Sequence, residues 1–88
     1  MFSVYILQSG KDKRTYVGFC KNINLRLHEH NSGKVKATKH RRPFIILFME
    51  EANNLSEAKQ REKYWKSGAG RRKLKYFFRE GFPPIQNF

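Results

Sequence analysis

Five side chains in this sequence can do chemistry, and each stands where the surrounding pattern calls for something plainer. Tyr5 and Tyr16 each bring a phenolic oxygen to a short stretch of alternating polar and apolar residues. Arg26 and His30 fall one helical turn apart, on the face that Ile23 and Leu27 mark as core. A guanidinium presents planar donors that suit phosphate oxygens, and an imidazole can move a proton near neutral pH. Glu62 sits in the middle of a stripe formed by Leu55, Ala58, Trp65 and Ala69 at 3-4-3-4 spacing. A carboxylate buried there must be paired, protonated or bound to a metal, because an ionised, unpartnered one costs several kcal/mol. Arg26 and Lys66 are its available structural partners. Each residue also has a structural reading. Tyrosine rings fill half-buried strands, and a single His on an apolar face is most often a hydrogen-bonded core residue. Gly18 weakens its stretch unless something must approach the backbone closely.

The elements that must position these residues follow from period and punctuation. Residues 2–7 alternate as a strand, with Phe2, Val4 and Ile6 on one face and Ser3, Tyr5 and Leu7 on the other. A Gly- and Asp-bearing turn leads to a second strand over residues 15–20, which places Tyr16, Gly18 and Cys20 on one face. Asn22 caps a helix over residues 23–30 that ends before Asn31-Ser32-Gly33. A basic loop follows, and Pro43 opens a third strand over residues 44–49, whose nearly continuous apolar run suits a strand covered on both faces. Asn54 and Glu57 form a capping box for a helix from Leu55 to about Ser67 that stops at Gly68. A shorter helix over residues 70–79 ends at Gly81 and Pro83-Pro84. The order β-β-α-β-α-α predicts one α+β domain over residues 1–88, a three-stranded antiparallel sheet flanked by helices.

Charge names the partner class. Nineteen Lys and Arg against seven Asp and Glu give a net charge of +12, which points to a polyanion such as nucleic acid. The cations cluster. Lys34, Lys36, Lys39, Arg41 and Arg42 occupy one acid-free stretch, while Lys66, Arg71 and Arg72 belong to a second stretch whose single acid is Glu62. No segment is long enough to span a membrane, and nothing at the N-terminus resembles an export signal. The single cysteine, Cys20, excludes an intrachain disulfide and fits a reducing compartment, so a cytoplasmic protein is expected.

Together these positions resemble the GIY-YIG nuclease family, especially its small stand-alone branch, and through it the nuclease domain of excision-repair endonucleases. The first motif stands as Ser3-Val4-Tyr5 and the second as Tyr16-Val17-Gly18. Arg26 with His30 four residues later matches the family's helix. His30-Asn31-Ser32-Gly33-Lys34, Thr38-Lys39 and Arg42-Pro43 match the branch's loop, and Arg61-Glu62 with Lys66 matches its metal-binding helix. Ser3 replaces the glycine of the first motif, and Phe19 stands where the repair branch often has Lys. The resemblance implies a divalent-metal-dependent endonuclease acting on nucleic acid, expected to be DNA. Tyr5 would act as base or water-positioner and Tyr16 as its support. Arg26 would stabilise phosphate charge, His30 would relay the proton, and Glu62 would hold Mg²⁺ or Mn²⁺. The competing reading is a non-catalytic nucleic-acid-binding module that keeps the same fold.

Overall fold

The computed structural model describes residues 1–85. Strand β1 (Phe2–Ser9) and strand β2 (Thr15–Cys20) form the expected hairpin. Helix α1 (Ile23–Asn31) follows, and then a basic segment ending in a 3-10 turn at Lys39–Arg41. Strand β3 (Phe44–Ala52) precedes helix α2 (Leu55–Lys66) and helix α3 (Gly68–Glu80). The sheet is antiparallel in the order β2-β1-β3. This is the predicted α+β arrangement.

The central strand is β1, and its alternation sorts the core into two layers. Val4 and Ile6 join Val17, Ala52, Ala58, Trp65 and Phe77 on one side. Tyr5 and Leu7 join Phe44 on the other, with Tyr16, Cys20, Ile23 and Leu27 packed against them. Helix α1 therefore covers the tyrosine face and α2 the opposite one. Each fully buried aliphatic side chain contributes about 1.5–3 kcal/mol to holding these layers together.

Strand β3 departs from the expectation of cover on both faces. It lies at the edge of the sheet, Ile45 is exposed, and residues 46–50 are only half-buried. A register shift opposite Ile6/Leu7 explains the apolar run. The extra β3 residue lets consecutive Leu47 and Phe48 both pack against the first layer.

Caps set the helix starts. Asn22 accepts from Leu25 N at 3.1 Å, and Asn54 accepts from Glu57 N at 2.8 Å. Helix α2 ends at Lys66, one residue short of the expected end, and Gly68 already belongs to α3. Ser67 makes the break, donating its hydroxyl to Tyr64 O at 2.5 Å and accepting from Gly70 N at 3.3 Å. The Gly70 backbone comes so close to Trp65 that any side chain there would collide with the end of α2. Arg61 donates twice to Glu50, at 2.8 and 3.1 Å, and Trp65 Nε1 donates to Glu50 Oε1 at 2.7 Å, which ties α2 to β3. Among the described residues no helix is long and apolar enough to cross a membrane.

Candidate active site

Tyr5, Tyr16, Arg26 and His30 come together on the α1 face of the sheet. The Tyr5 hydroxyl lies 3.0 Å from His30 Nε2, and the Tyr16 and His30 rings meet edge to face with centroids 5.1 Å apart. His30 is fully buried, and its Nδ1 lies 2.8 Å from the hydroxyl of Thr38, also fully buried. The Thr38 hydroxyl has one proton, which it donates to Val35 O at 3.5 Å. With that proton on Val35 O, Thr38 accepts from His30 Nδ1–H, and Nε2 is the acceptor of the Tyr5 hydroxyl proton; with it on Nδ1 instead, the two roles reverse. Val35, Thr38, His30 and Tyr5 form one directed chain of hydrogen bonds.

The electrostatics follow from burial. The Tyr5 phenol, withdrawn from water, is pushed above its ordinary 10.0 to about 12 despite the nearby Arg26 guanidinium, which favours the phenolate. His30 is driven from 6.5 down to about 4, mainly by burial and then by the charge of Arg26. At neutral pH both members of the pair are uncharged. Arg26 bridges to Glu29 at 3.3 Å and remains about one-third exposed, so its guanidinium reaches both the buried phenol and solvent. Burial raises the Cys20 thiol as well, consistent with a packing role.

Glu62 departs from the stripe that the spacing drew. Leu55 is exposed at the helix start and Ala69 is exposed in α3, because the break at Ser67 turns the chain away. The Glu62 side chain is 27% exposed and lies 3.5 Å from Lys66 Nζ. Its ion-pair partner is thus Lys66, while Arg26 pairs with Glu29. Lys66 lines a cleft of about 220 Å³ together with Tyr16, Val17 and Trp65, while Glu62, Tyr5, Arg26 and His30 are not among its lining residues. Among the described residues no group of three or more His, Cys, Asp and Glu could enclose a metal ion. A lone carboxylate in a half-exposed position still fits Mg²⁺, which keeps most of its waters and binds through one or two carboxylates plus substrate phosphate.

Two of the expected phosphate-binding cations, Arg41 and Lys66, have carboxylate partners in the free protein. Arg41 donates to Asp12 at 2.9 Å and lies over the Phe44 ring, which ties it to the scaffold. Lys66 is shared with Glu62. Lys34, Lys36, Lys39, Arg42, Arg71 and Arg72 are exposed as expected, with Arg42 Nε also donating to Lys39 O at 2.8 Å. Two residues of the matching loop, named above without a role, are positioning residues. Thr38 orients His30, and Asn31 exchanges two bonds with the Phe44 backbone, at 2.7 and 3.1 Å, fixing the end of α1 beside β3. A polar loop residue and a helix-ending Asn are too common to have marked either role.

Two tyrosines eleven positions apart on paired strands, with a helix supplying Arg and His above them, agree with a family match that spans most of the chain. Residues 1–76 match the GIY-YIG catalytic domain. This chain belongs to the GIY-YIG family. Among its relatives, a UPF0213 protein of Staphylococcus haemolyticus is 40% identical over 73 residues, covering 82% of this chain and 88% of that one. A UPF0213 protein of Syntrophus aciditrophicus is 48% identical over 61 residues, covering 67% and 69%. The solution structure of a UPF0213 protein from Bacillus halodurans superposes with a TM-score of 0.55 at 32% identity, covering 94% of this GIY-YIG chain and 89% of that one.

Proposed function

We propose that this GIY-YIG domain is a divalent-metal-dependent endonuclease that hydrolyses phosphodiester bonds in nucleic acid. The observation that carries the reading is the Tyr5–His30–Thr38 chain, which gives a buried phenol a neutral imidazole acceptor. A nucleic-acid-binding module has no use for such a proton path. Membership of the GIY-YIG catalytic domain family and the surplus of cations support the same substrate class.

A tyrosine at about pKa 12 cannot work as a standing phenolate at neutral pH. Tyr5 works instead as a relay. As water oxygen bonds to phosphorus, the water proton passes to the Tyr5 oxygen and the Tyr5 proton passes to His30 Nε2. The P–O ester bond breaks, and the leaving oxygen departs with the bonding electrons and takes a proton from solvent water. Tyr5 is 1% exposed in the free protein with Arg26 bonded to its hydroxyl, and a phosphate that drew Arg26 off that hydroxyl would open the phenol to the attacking water. An anion beside Arg26 also offsets the positive field that helps hold His30 near 4, making the imidazole a better acceptor when substrate is bound. Tyr16 supports the phosphate from the adjoining cleft. Glu62 would hold Mg²⁺, which when bound supplies Lewis-acid stabilisation of charge on the phosphate and leaving oxygen.

The test is cleavage of duplex, nicked, flapped, branched and single-stranded DNA and of RNA, in Mg²⁺ and in EDTA. Cleavage of at least one substrate in Mg²⁺ alone is expected. Binding without cleavage of any of them would favour the non-catalytic reading.

A further inference from the structure

Five ion pairs consume Arg26, Arg41, Arg61, Lys66 and Arg79. Lys13, Arg14, Arg71 and Lys75 have no carboxylate within 4.0 Å among the described residues, and all four line one cleft of about 520 Å³ between the β1–β2 turn and α3. Arg71, Leu74, Lys75 and Phe78 supply its α3 side, at the i, i+3, i+4, i+7 spacing of a single helix stripe. The turn side is rigid. Ser9 Oγ accepts from Lys11 N and Asp12 N, and Asp12 accepts from both Arg14 N and Arg41 Nε. This cleft shares Thr15, Arg71 and Leu74 with the smaller cleft lined by Tyr16, so the two form one trough that reaches Tyr16.

One aromatic ring, Phe78, lines the larger cleft. Phe78 is 49% exposed, and Phe82 packs edge-on against it with centroids 5.0 Å apart, which fixes the ring in place. An exposed ring among unpaired cations is the arrangement that binds unpaired strands, through phosphate contacts and base stacking. A duplex offers such a ring little, because its base faces are already stacked on one another.

We propose that this trough binds an unpaired nucleic-acid strand, with phosphates on Lys13, Arg14, Arg71 and Lys75 and a base stacked on Phe78, and leads it toward Tyr16. The inference rests on the nucleic-acid reading above and narrows it to substrates with an unpaired segment.

The experiment is fluorescence anisotropy in EDTA, with a labelled short oligothymidylate and a labelled blunt DNA duplex as probes. Phe78→Ala should weaken oligothymidylate binding by about tenfold or more and leave duplex binding within about twofold, while Phe78→Tyr restores the loss. Lys75→Gln should reduce the salt slope for oligothymidylate by about 0.7. In Phe78→Trp, oligothymidylate should quench the introduced indole, a readout that remains if the alanine variant does not fold. Unchanged affinity in Phe78→Ala, or unchanged emission in Phe78→Trp, would overturn the proposal. A wild-type protein that binds the duplex but not oligothymidylate would overturn this site alone. Binding to neither probe would overturn the nucleic-acid reading with it.

Discussion

Gly18 pairs directly with Tyr5 across β1 and β2, and a Cβ placed on it would fall 2.5 Å from the Tyr5 hydroxyl oxygen and 2.7 Å from Cζ. The glycine that weakens β2 as a strand is what gives the Tyr5 phenol room to reach His30. Gly18→Ala should therefore push the ring off the imidazole, cost about 1–3 kcal/mol of stability from overpacking, and lower cleavage by roughly a hundredfold or more. Melting and single-turnover rates on the same sample check this. A folded variant cleaving at the wild-type rate would show that the Tyr5–His30 distance is irrelevant to activity.

Thr38→Val removes the acceptor of His30 Nδ1–H while keeping the shape. The buried N–H is then orphaned at a cost of about 1–3 kcal/mol, or the proton moves to Nε2 and opposes the Tyr5 hydroxyl with a second donor. Nitrogen chemical shifts of the His30 ring should show the Nδ1–H tautomer in wild type and, in Thr38→Val, either its loss or its retention with lowered stability. Cleavage should fall by at least about tenfold, a part of the roughly 10²–10⁴ that acid–base catalysis supplies, and Thr38→Ser should recover it. A wild-type His30 ring that already carries its proton on Nε2, with Nδ1 bare, would contradict the directed chain.

The depressed pKa of His30 fixes the sign of one pH effect. Above 6.5 the ring is neutral in both folded and unfolded chains, and its contribution to stability is fully present. Between 6.5 and about 4 the unfolded chain binds a proton that the folded one refuses, so stability falls as pH falls, by at most about 1.36 kcal/mol per pH unit. The groups that set this field are Tyr5 and Thr38 against the ring, with Arg26 and Glu29 as the nearby charges. Denaturant titrations across this range should show a shallower pH slope in His30→Gln than in wild type. Equal slopes would mean that His30 ionises normally in the folded protein.

Glu62→Gln separates a structural carboxylate from a metal ligand. The pair with Lys66 is an i,i+4 contact in which the lysine is 55% exposed, and such pairs contribute about 0–1 kcal/mol. The variant should stay folded with nearly unchanged stability, and its nucleic-acid affinity in EDTA should be equal or higher because an anion has left a basic surface. Divalent-ion binding and cleavage should both be lost. Near wild-type cleavage in Mg²⁺ would falsify the metal assignment.

What the sequence made legible was what repeats with a period. Alternation placed Tyr5 with Leu7 and Tyr16 with Cys20 on one side of the hairpin, and the helical period put Ile23, Arg26, Leu27 and His30 on the covered face of α1. The Glu62 stripe failed at its C-terminal end because a single hydroxyl, Ser67, breaks the helix one residue before the glycine that was expected to end it. Thr38, Asn31 and the Asp12–Arg41 bridge join residues distant in the chain through loop segments, and no period marks such contacts. The edge position of β3 depends on the pairing order β2-β1-β3, which an apolar run cannot reveal.

Tyr5→Phe addresses the central claim most directly, because it removes one oxygen and leaves the ring packed against Leu7 and Phe44 in the second layer. His30 Nε2 loses its donor, at a cost of about 1–3 kcal/mol, and the protein should remain folded. Affinity for a nucleic-acid substrate in EDTA should match wild type, because the buried hydroxyl contributes nothing to phosphate neutralisation. Single-turnover cleavage in Mg²⁺ should fall by at least roughly a hundredfold, the scale of a lost proton acceptor. A folded Tyr5→Phe protein that binds normally and cleaves at the wild-type rate would contradict the proton relay and reduce Tyr5 to a core residue.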